Sequence, residues 1–214
     1  MNKNIKGIIF DLDGTLFDSC GMWHDIDVKF FKKRNMDIPD DFNKKIAPLG
    51  LNKAAEFAKR EYNLSDEIED IIEEWHEMAI YEYTNNVLIK PYVKEFLEHL
   101  KQNGIKMAIA TANDDKFYMP CLKRNNILEY FDYICDVNEF KGSKNDPGIY
   151  LHAAQKLNLN PNEIAVFEDI PNAIKSAKNG GFYVVAVDDL NEINLRKEKK
   201  ELADMFISSF SELL

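Results

Sequence analysis

Four short segments of the chain hold the residues able to do chemistry: Asp11-Leu12-Asp13-Gly14-Thr15, Thr111-Ala112-Asn113, the single Lys144, and Glu168-Asp169. Carboxylates gathered in such number repel one another at neutral pH unless a cation sits among them. Ligation by carboxylate and carbonyl oxygens favours a hard ion, and Mg²⁺ suits a site with few carboxylates plus a phosphate. Attack on a phosphoryl group needs a nucleophile, neutralisation of its equatorial oxygens and a proton for the leaving group. Asp11 has the character of the nucleophile. Asp13, two residues on, can reach the leaving oxygen as a general acid and later activate water as a base, help worth ~10²–10⁴-fold. Thr111 and Lys144 can bind phosphate oxygens, with Ala112 and Asn113 completing the first of these segments, and Lys144 would also screen Asp11. Gly14 permits a tight backbone turn beside a ligand.

These segments follow apolar runs or precede helices. The runs Ile5 to Phe10, Ile105 to Ala110, Ile164 to Phe167 and Phe182 to Val187 are short, nearly continuous and partly β-branched, as strands buried on both faces of a parallel sheet are. Amphipathic helices are expected between them. One begins with Pro91 at its first position, carries Tyr92, Val93, Phe96, Leu97 and Leu100 on one face, and stops at Gly104. Others run from Pro147 to Leu157 and from Pro171 to Lys178, the latter ended by Gly180-Gly181. The alternation implies a doubly wound, Rossmann-like α/β core with right-handed crossovers. Ligands of such sheets bind at the carboxyl ends of the strands, where the four segments fall.

Residues 18–88 break the rhythm. They contain no convincing strand, and a segment of about 70 residues is too long for a loop, so an inserted all-helical domain is expected there. Trp23, Ile26 and Phe30 share one helical face; Ile68, Ile71, Ile72, Trp75 and Ala79 share another, with Ser65 as its N-cap. The domain reading is therefore an α/β core of residues 1–17 and 89–214 around a helical insertion at 18–88. The insertion is expected to open and close over the site, hinged near Phe17–Asp18 and Val87–Pro91. Residues 191–201 are mostly charged and read as a solvated helix or loop.

The bulk composition excludes several classes. A balance of 37 acidic against 27 basic residues gives a net charge of −10, which denies the chain the basic surface that nucleic acid binding requires. No window approaches the roughly 18 apolar residues of a membrane span, and the apolar run near the N-terminus is too short for a signal sequence. Cys20, Cys121 and Cys135 are odd in number, and no spacing suggests a zinc site, so reduced thiols in a cytoplasmic protein are expected.

The set resembles the haloacid dehalogenase superfamily. Asp11-Leu12-Asp13-Gly14-Thr15-Leu16 is similar to its DxDGT motif, Thr111 to its second motif, and Lys144-Asn145-Asp146-Pro147 to its lysine-to-proline third. Val166-Phe167-Glu168-Asp169 resembles the fourth motif in the Glu-Asp form typical of phosphatases similar to β-phosphoglucomutase. A helical cap inserted after the first motif is also a trait of that family. The resemblance implies a Mg²⁺-dependent phosphatase acting on a small phosphorylated metabolite through an aspartyl-phosphate, with Asp11 as nucleophile and Asp13 as acid/base. It implies that Asp11, Asp13 through its carbonyl, and Asp169 hold the metal, with Glu168 nearby.

Two departures narrow the outcome. The family's mutases carry a histidine in the first cap helix where this chain has Trp23, with His24 turned about 100° away. The dehalogenases lack the second aspartate. A sugar-phosphate mutase thus stands second to a phosphatase. A signalling receiver, phosphorylated without turnover, stands third, because its phosphoacceptor follows a third strand and no helical insertion is expected. Several residues keep two readings: Asn113 as phosphate ligand or helix cap, Glu168 as metal ligand or ion-pair partner, Lys141 as a rival to Lys144, Trp23 as core or substrate contact. Asn52, Lys53 and Lys90 are further residues that could select substrate. All four histidines read as surface or packing residues, and Cys20 as a packed thiol.

Overall fold

The computed structural model describes residues 4–46, 49 and 51–214. The chain divides into two compact units, Met1–Cys20 with Val87–Leu214, and Gly21–Asn86. In chain order the elements are β1 (Gly7–Phe10), α1 (Cys20–Lys33), α2 (Phe42–Ile46), α3 (Leu51–Glu61), α4 (Ile68–Asn85), α5 (Val93–Gln102), β2 (Lys106–Ala110) and α6 (Asp115–Arg124). There follow β3 (Tyr133–Cys135), α7 (Val137–Phe140), α8 (Gly148–Leu157), β4 (Ile164–Glu168), α9 (Pro171–Asn179), β5 (Tyr183–Val187), α10 (Arg196–Leu202) and β6 (Met205–Ile207).

The first unit is an α/β core around one six-stranded parallel sheet of order β3-β2-β1-β4-β5-β6. This is the doubly wound arrangement expected from the alternating pattern. Ile8, Ile9 and Phe10 are all fully buried, because β1 is covered on both faces. Ile9 joins the aliphatic layer with Ile149, Ala153, Val166, Ile174 and Val184. Phe10 points the other way, into an aromatic layer: its ring centroid lies 5.0 Å from Phe167 and 6.3 Å from Phe96, and Phe210 stacks on Phe167 at 5.9 Å. The strand order reverses between β1 and β4, so the crevice for ligands opens beyond their carboxyl ends. Phe10 is paired with Ile109 on one side and Phe167 on the other. The next residue, Asp11, therefore emerges beside Ala110 and Glu168, and its N–H donates to the Phe167 carbonyl at 3.0 Å.

Several local expectations change. The strands β3 and β6 have three residues each and lie at the sheet edges, where partial burial leaves no long apolar run to read. Pro91 is not the first helical residue: Tyr92 caps α5 in a left-handed conformation (φ 66°) and is half exposed, while Val93, Phe96, Leu97 and Leu100 face inwards. Gly104, at φ 68°, does end that helix. The charged run near 191–201 contains a buried residue: Lys199 is fully covered, with Nζ 3.1 Å from Glu192 and 3.5 Å from the Val187 carbonyl.

The second unit is helical. Phe30, Phe31, Phe42, Tyr62 and Trp75 form its aromatic centre. Arg34 lies 3.7 Å over the Phe30 ring and pairs with Asp66 and Glu74. Trp23 stands outside the buried stripe of Met22, Ile26, Asp27, Phe30 and Phe31 on α1 and is 39% exposed. Glu67, not Ser65, precedes α4, whose buried face is Ile71, Trp75, Ala79, Glu82 and Tyr83. Among the described residues, no helix is long and apolar enough to cross a membrane.

Candidate functional site

The carboxyl ends of β1, β2 and β4 bring together Asp11, Thr111 and Glu168-Asp169, all buried. Lys144, from the segment between α7 and α8, reaches into the same place. Its ammonium donates to both Asp11 Oδ1 and Glu168 Oε1. The Tyr150 hydroxyl, in the first turn of α8, donates to Glu168 Oε1 at 2.6 Å, and the Asp169 N–H donates to Glu168 Oε2 at 3.2 Å. Glu168 is thus bonded at both oxygens, with the Lys144 ammonium among its partners. Lys141, at φ 54°, begins the loop that leads to Lys144.

Electrostatics follow from this crowding. Burial pushes the Asp11 carboxyl up to about 7; Lys144 opposes this, while Glu168 and Asp13 add to it. Burial also holds Asp169 well above the usual carboxylate range, reinforced by Asp11, Glu168 and Glu192. Burial disfavours the Lys144 ammonium, yet Asp11 and Glu168 prevail and hold it above its ordinary range. Asp11 shifts upwards chiefly because it is buried, and Lys144 shifts upwards because more than one carboxylate shares its ammonium. The ammonium gains more from them together than any one gains from it.

The donor set fits a divalent cation. Asp11, Glu168 and Asp169 each offer a carboxylate oxygen, and these lie within 4.8 Å of one another. Asp169 Oδ1 is buried without a hydrogen-bond partner among the described residues, a costly state for an oxygen that a cation would satisfy. Gly14 makes room for this carboxylate. Its φ is 79°, and a Cβ there would overlap the Asp169 side chain and crowd Cys20 Sγ.

Asp13 stands apart from that cluster of side chains. Ser19 Oγ donates to one of its oxygens at 2.7 Å and Asn113 Nδ2 to the other at 2.8 Å. A metal role for Asp13 is thus left to its carbonyl, and its carboxyl is held between two donors. Thr111 Oγ1 accepts from the Asn113 N–H at 3.0 Å, and Ala112 is exposed between them. Asn113 neither caps the next helix nor has a free amide: Asp114 is the N-cap of α6, and the Asn113 oxygen accepts from its N–H.

The residues read as selecting substrate are divided between the two units. Lys90 is committed to the Asp188 carbonyl at 2.7 Å and to Asp189 at 2.9 Å, beside the end of β5. Asn52 and Lys53 are exposed on the first turn of α3, and with Trp23 they belong to the helical unit. Cys20 is a packed thiol, held far above its usual range by burial and then by Asp169 and Asp189. Sequence reasoning missed Ser19 and Tyr150. Neither lies in a recognisable string, and only the backbone path brings them to Asp13 and Glu168.

The chain is similar to known proteins in sequence and in fold. The model of the haloacid dehalogenase-like hydrolase family matches residues 8–187. A phosphorylated carbohydrates phosphatase of Thermotoga maritima is 26% identical over 83% of this chain and 82% of its own. A β-phosphoglucomutase of Bacillus subtilis is 28% identical over 86% and 83%. The solved structure of β-phosphoglucomutase from Clostridium difficile superposes with a TM-score of 0.74 at 25% identity, covering 98% of this chain and 93% of that one.

Proposed function

The chain belongs to the haloacid dehalogenase-like hydrolases, and from that premise we propose that it is a Mg²⁺-dependent phosphatase of a small organic phosphate monoester, working through an aspartyl-phosphate on Asp11. The observation that carries this reading is the meeting of Asp11, Lys144, Glu168 and Asp169 at the reversal point of the sheet. Asp11, Asp169 and the Asp13 carbonyl would hold the Mg²⁺, with Glu168 beside them. Bound there, the ion supplies positive charge that offsets the repulsion between carboxylate and phosphate.

The chain's own residues do the rest. A carboxylate oxygen of Asp11 attacks phosphorus, and the bond to the leaving oxygen breaks. Asp13, held by Ser19 and Asn113, gives its proton to that oxygen. It then takes a proton from water, whose oxygen attacks the phosphorus of the acyl phosphate; inorganic phosphate leaves and Asp11 is regenerated. Lys144 and Thr111 bind the equatorial oxygens, with the backbone of Ala112 and Asn113 adjoining. The α/β unit does this chemistry and the helical unit selects the substrate. A cytoplasmic setting belongs to the same proposal, supported by three free cysteines.

The mutase reading stands second because a β-phosphoglucomutase is also among the relatives, at 28% identity. Trp23 weighs against it, since an indole N–H donates only and cannot relay a proton as imidazole does. The test is a screen of sugar phosphates, polyol phosphates and nucleotides with and without Mg²⁺, following both phosphate release and isomer formation. Stoichiometric phosphate release supports the proposal, and isomerisation without release replaces it by the mutase. Asp11→Asn is expected to abolish turnover in a folded protein. Near-normal turnover by that variant removes the aspartyl-phosphate mechanism.

A further inference from the structure

A second group of metal-ligating side chains lies at the edge of the sheet, apart from the carboxylate site. Cys135 ends β3, Glu139 lies on α7 and His152 on α8; one ligand atom from each falls within 4.8 Å of the other two. His152 Nε2 is 3.6 Å from Glu139 Oε1. Two such ligands on one tetrahedral zinc ion stand about 3.3–3.6 Å apart, so this pair already has the required separation. The Tyr133 hydroxyl donates to Glu139 Oε1 and lies 3.2 Å from His152 Nε2, so one hydroxyl gathers the two ligand atoms and is the group a bound cation would displace. The rings of Tyr133 and Phe140, each with its centroid 6.0 Å from that of His152, flank the imidazole. The thiol is fully buried, while Glu139 and His152 reach solvent and leave a way in.

We infer that Cys135, Glu139 and His152 form a binding site for a zinc-class divalent cation, distinct from the Mg²⁺ site. Thiolate, imidazole and carboxylate together suit that class, and magnesium and calcium poorly. Thiolate and carboxylate would neutralise the dication, leaving a fourth position for water. On binding, the Cys135 S–H proton passes to solvent, the sulfur lone pair forms the metal bond, and a neutral His152 nitrogen donates its own; nothing is oxidised or reduced. Lys156, 3.9 Å from Glu139, is the positive group that the ion would displace from its partner.

The placement gives the site a consequence. The Cys135 carbonyl accepts from the Thr111 N–H at 3.0 Å, and Glu139 and His152 stand on the two helices flanking the segment that carries Lys144. A cation here would staple both ends of that segment and the strand supporting Thr111. The inference does not depend on the phosphatase reading, since none of its ligands belongs to the carboxylate cluster.

The test is a Co²⁺ titration of the metal-stripped protein, with excess Mg²⁺ present to occupy the all-oxygen site. An equimolar complex with a thiolate-to-cobalt charge-transfer band, displaced by Zn²⁺, is expected. Cys135→Ser should lose the band, and His152→Gln and Glu139→Gln should each weaken binding by ~10–100-fold. The two latter positions are partly exposed, so they keep the test decisive if Cys135→Ser fails to fold. Absence of the band in the unaltered protein overturns the inference. So does a band that survives Cys135→Ser, or an affinity unchanged in both His152→Gln and Glu139→Gln.

Discussion

The Lys144 ammonium donates to Asp11 across 133 positions of sequence. It also donates to Glu168, so a single buried cation is shared between two buried carboxylates. Removing one partner of a buried ion pair costs about 3–5 kcal/mol, because the other charge is left uncompensated. Lys144→Ala should therefore lower stability by an amount of that order and reduce kcat by about 10²-fold or more, through loss of an oxyanion partner. Mg²⁺ should narrow the stability gap by restoring positive charge among the carboxylates. Denaturant midpoints with and without Mg²⁺ check this; a gap that Mg²⁺ leaves untouched would argue against metal binding beside Lys144.

Asp13 is held by Ser19 and Asn113, and this pairing separates its role from that of the nucleophile. Asp13→Asn should lose ~10²–10⁴-fold in kcat on alkyl phosphates. The loss should be much smaller on aryl phosphates, whose leaving oxygens need no proton. Asn113→Ala should show the same dependence on leaving group in weaker form. Equal losses on both substrate types would show that Asn113 acts on the phosphate instead.

Gly14 is the position where the backbone and the metal site make one demand. Its φ of 79° costs a side chain about 1–3 kcal/mol, and a Cβ would push on Asp169. Gly14→Ala should raise the Mg²⁺ concentration for half-maximal activity in a protein that still melts cooperatively. Unchanged Mg²⁺ dependence would mean that Asp169 does not bear on the metal.

The parts of the site legible in the sequence were those that long-range packing leaves alone. Asp11, Asp13 and Glu168-Asp169 follow or end apolar runs and Lys144 precedes a helix, and a parallel sheet must bring such ends together. Residues that hold them were illegible. Ser19 and Tyr150 reach their partners through the path of loop and helix, which no periodicity encodes. Lys199 hid in a charged run because its long stem can lie along apolar surface while its head finds Glu192. The Cys135–Glu139–His152 group has no motif spacing, since its third member arrives from a helix packed against the edge strand. The strands β3 and β6 were invisible for a related reason: three residues at an edge carry too little burial to mark themselves.

The helical unit offers a prediction of its own in Asp27, a buried carboxyl on α1 that burial pushes up to about 7. Its folded value exceeds the unfolded value of 3.8, so between those limits the folded chain binds more protons than the unfolded one. The stability contributed by the neutral form is therefore complete at low pH and is lost as pH rises through about 7. Asp66 and Glu74, held below their usual range with Arg34 as partner, act in the opposite sense at acid pH. Comparison with Asp27→Asn cancels those terms, because the substitution leaves them in place. The variant should match the parent protein near pH 4 and exceed it by up to about 4 kcal/mol at pH 8, since each pKa unit is worth about 1.36 kcal/mol. Chemical denaturation of both proteins across that range measures the difference directly. A difference that does not grow with pH would mean that Asp27 is ionised in the folded chain at neutral pH, with a compensating partner.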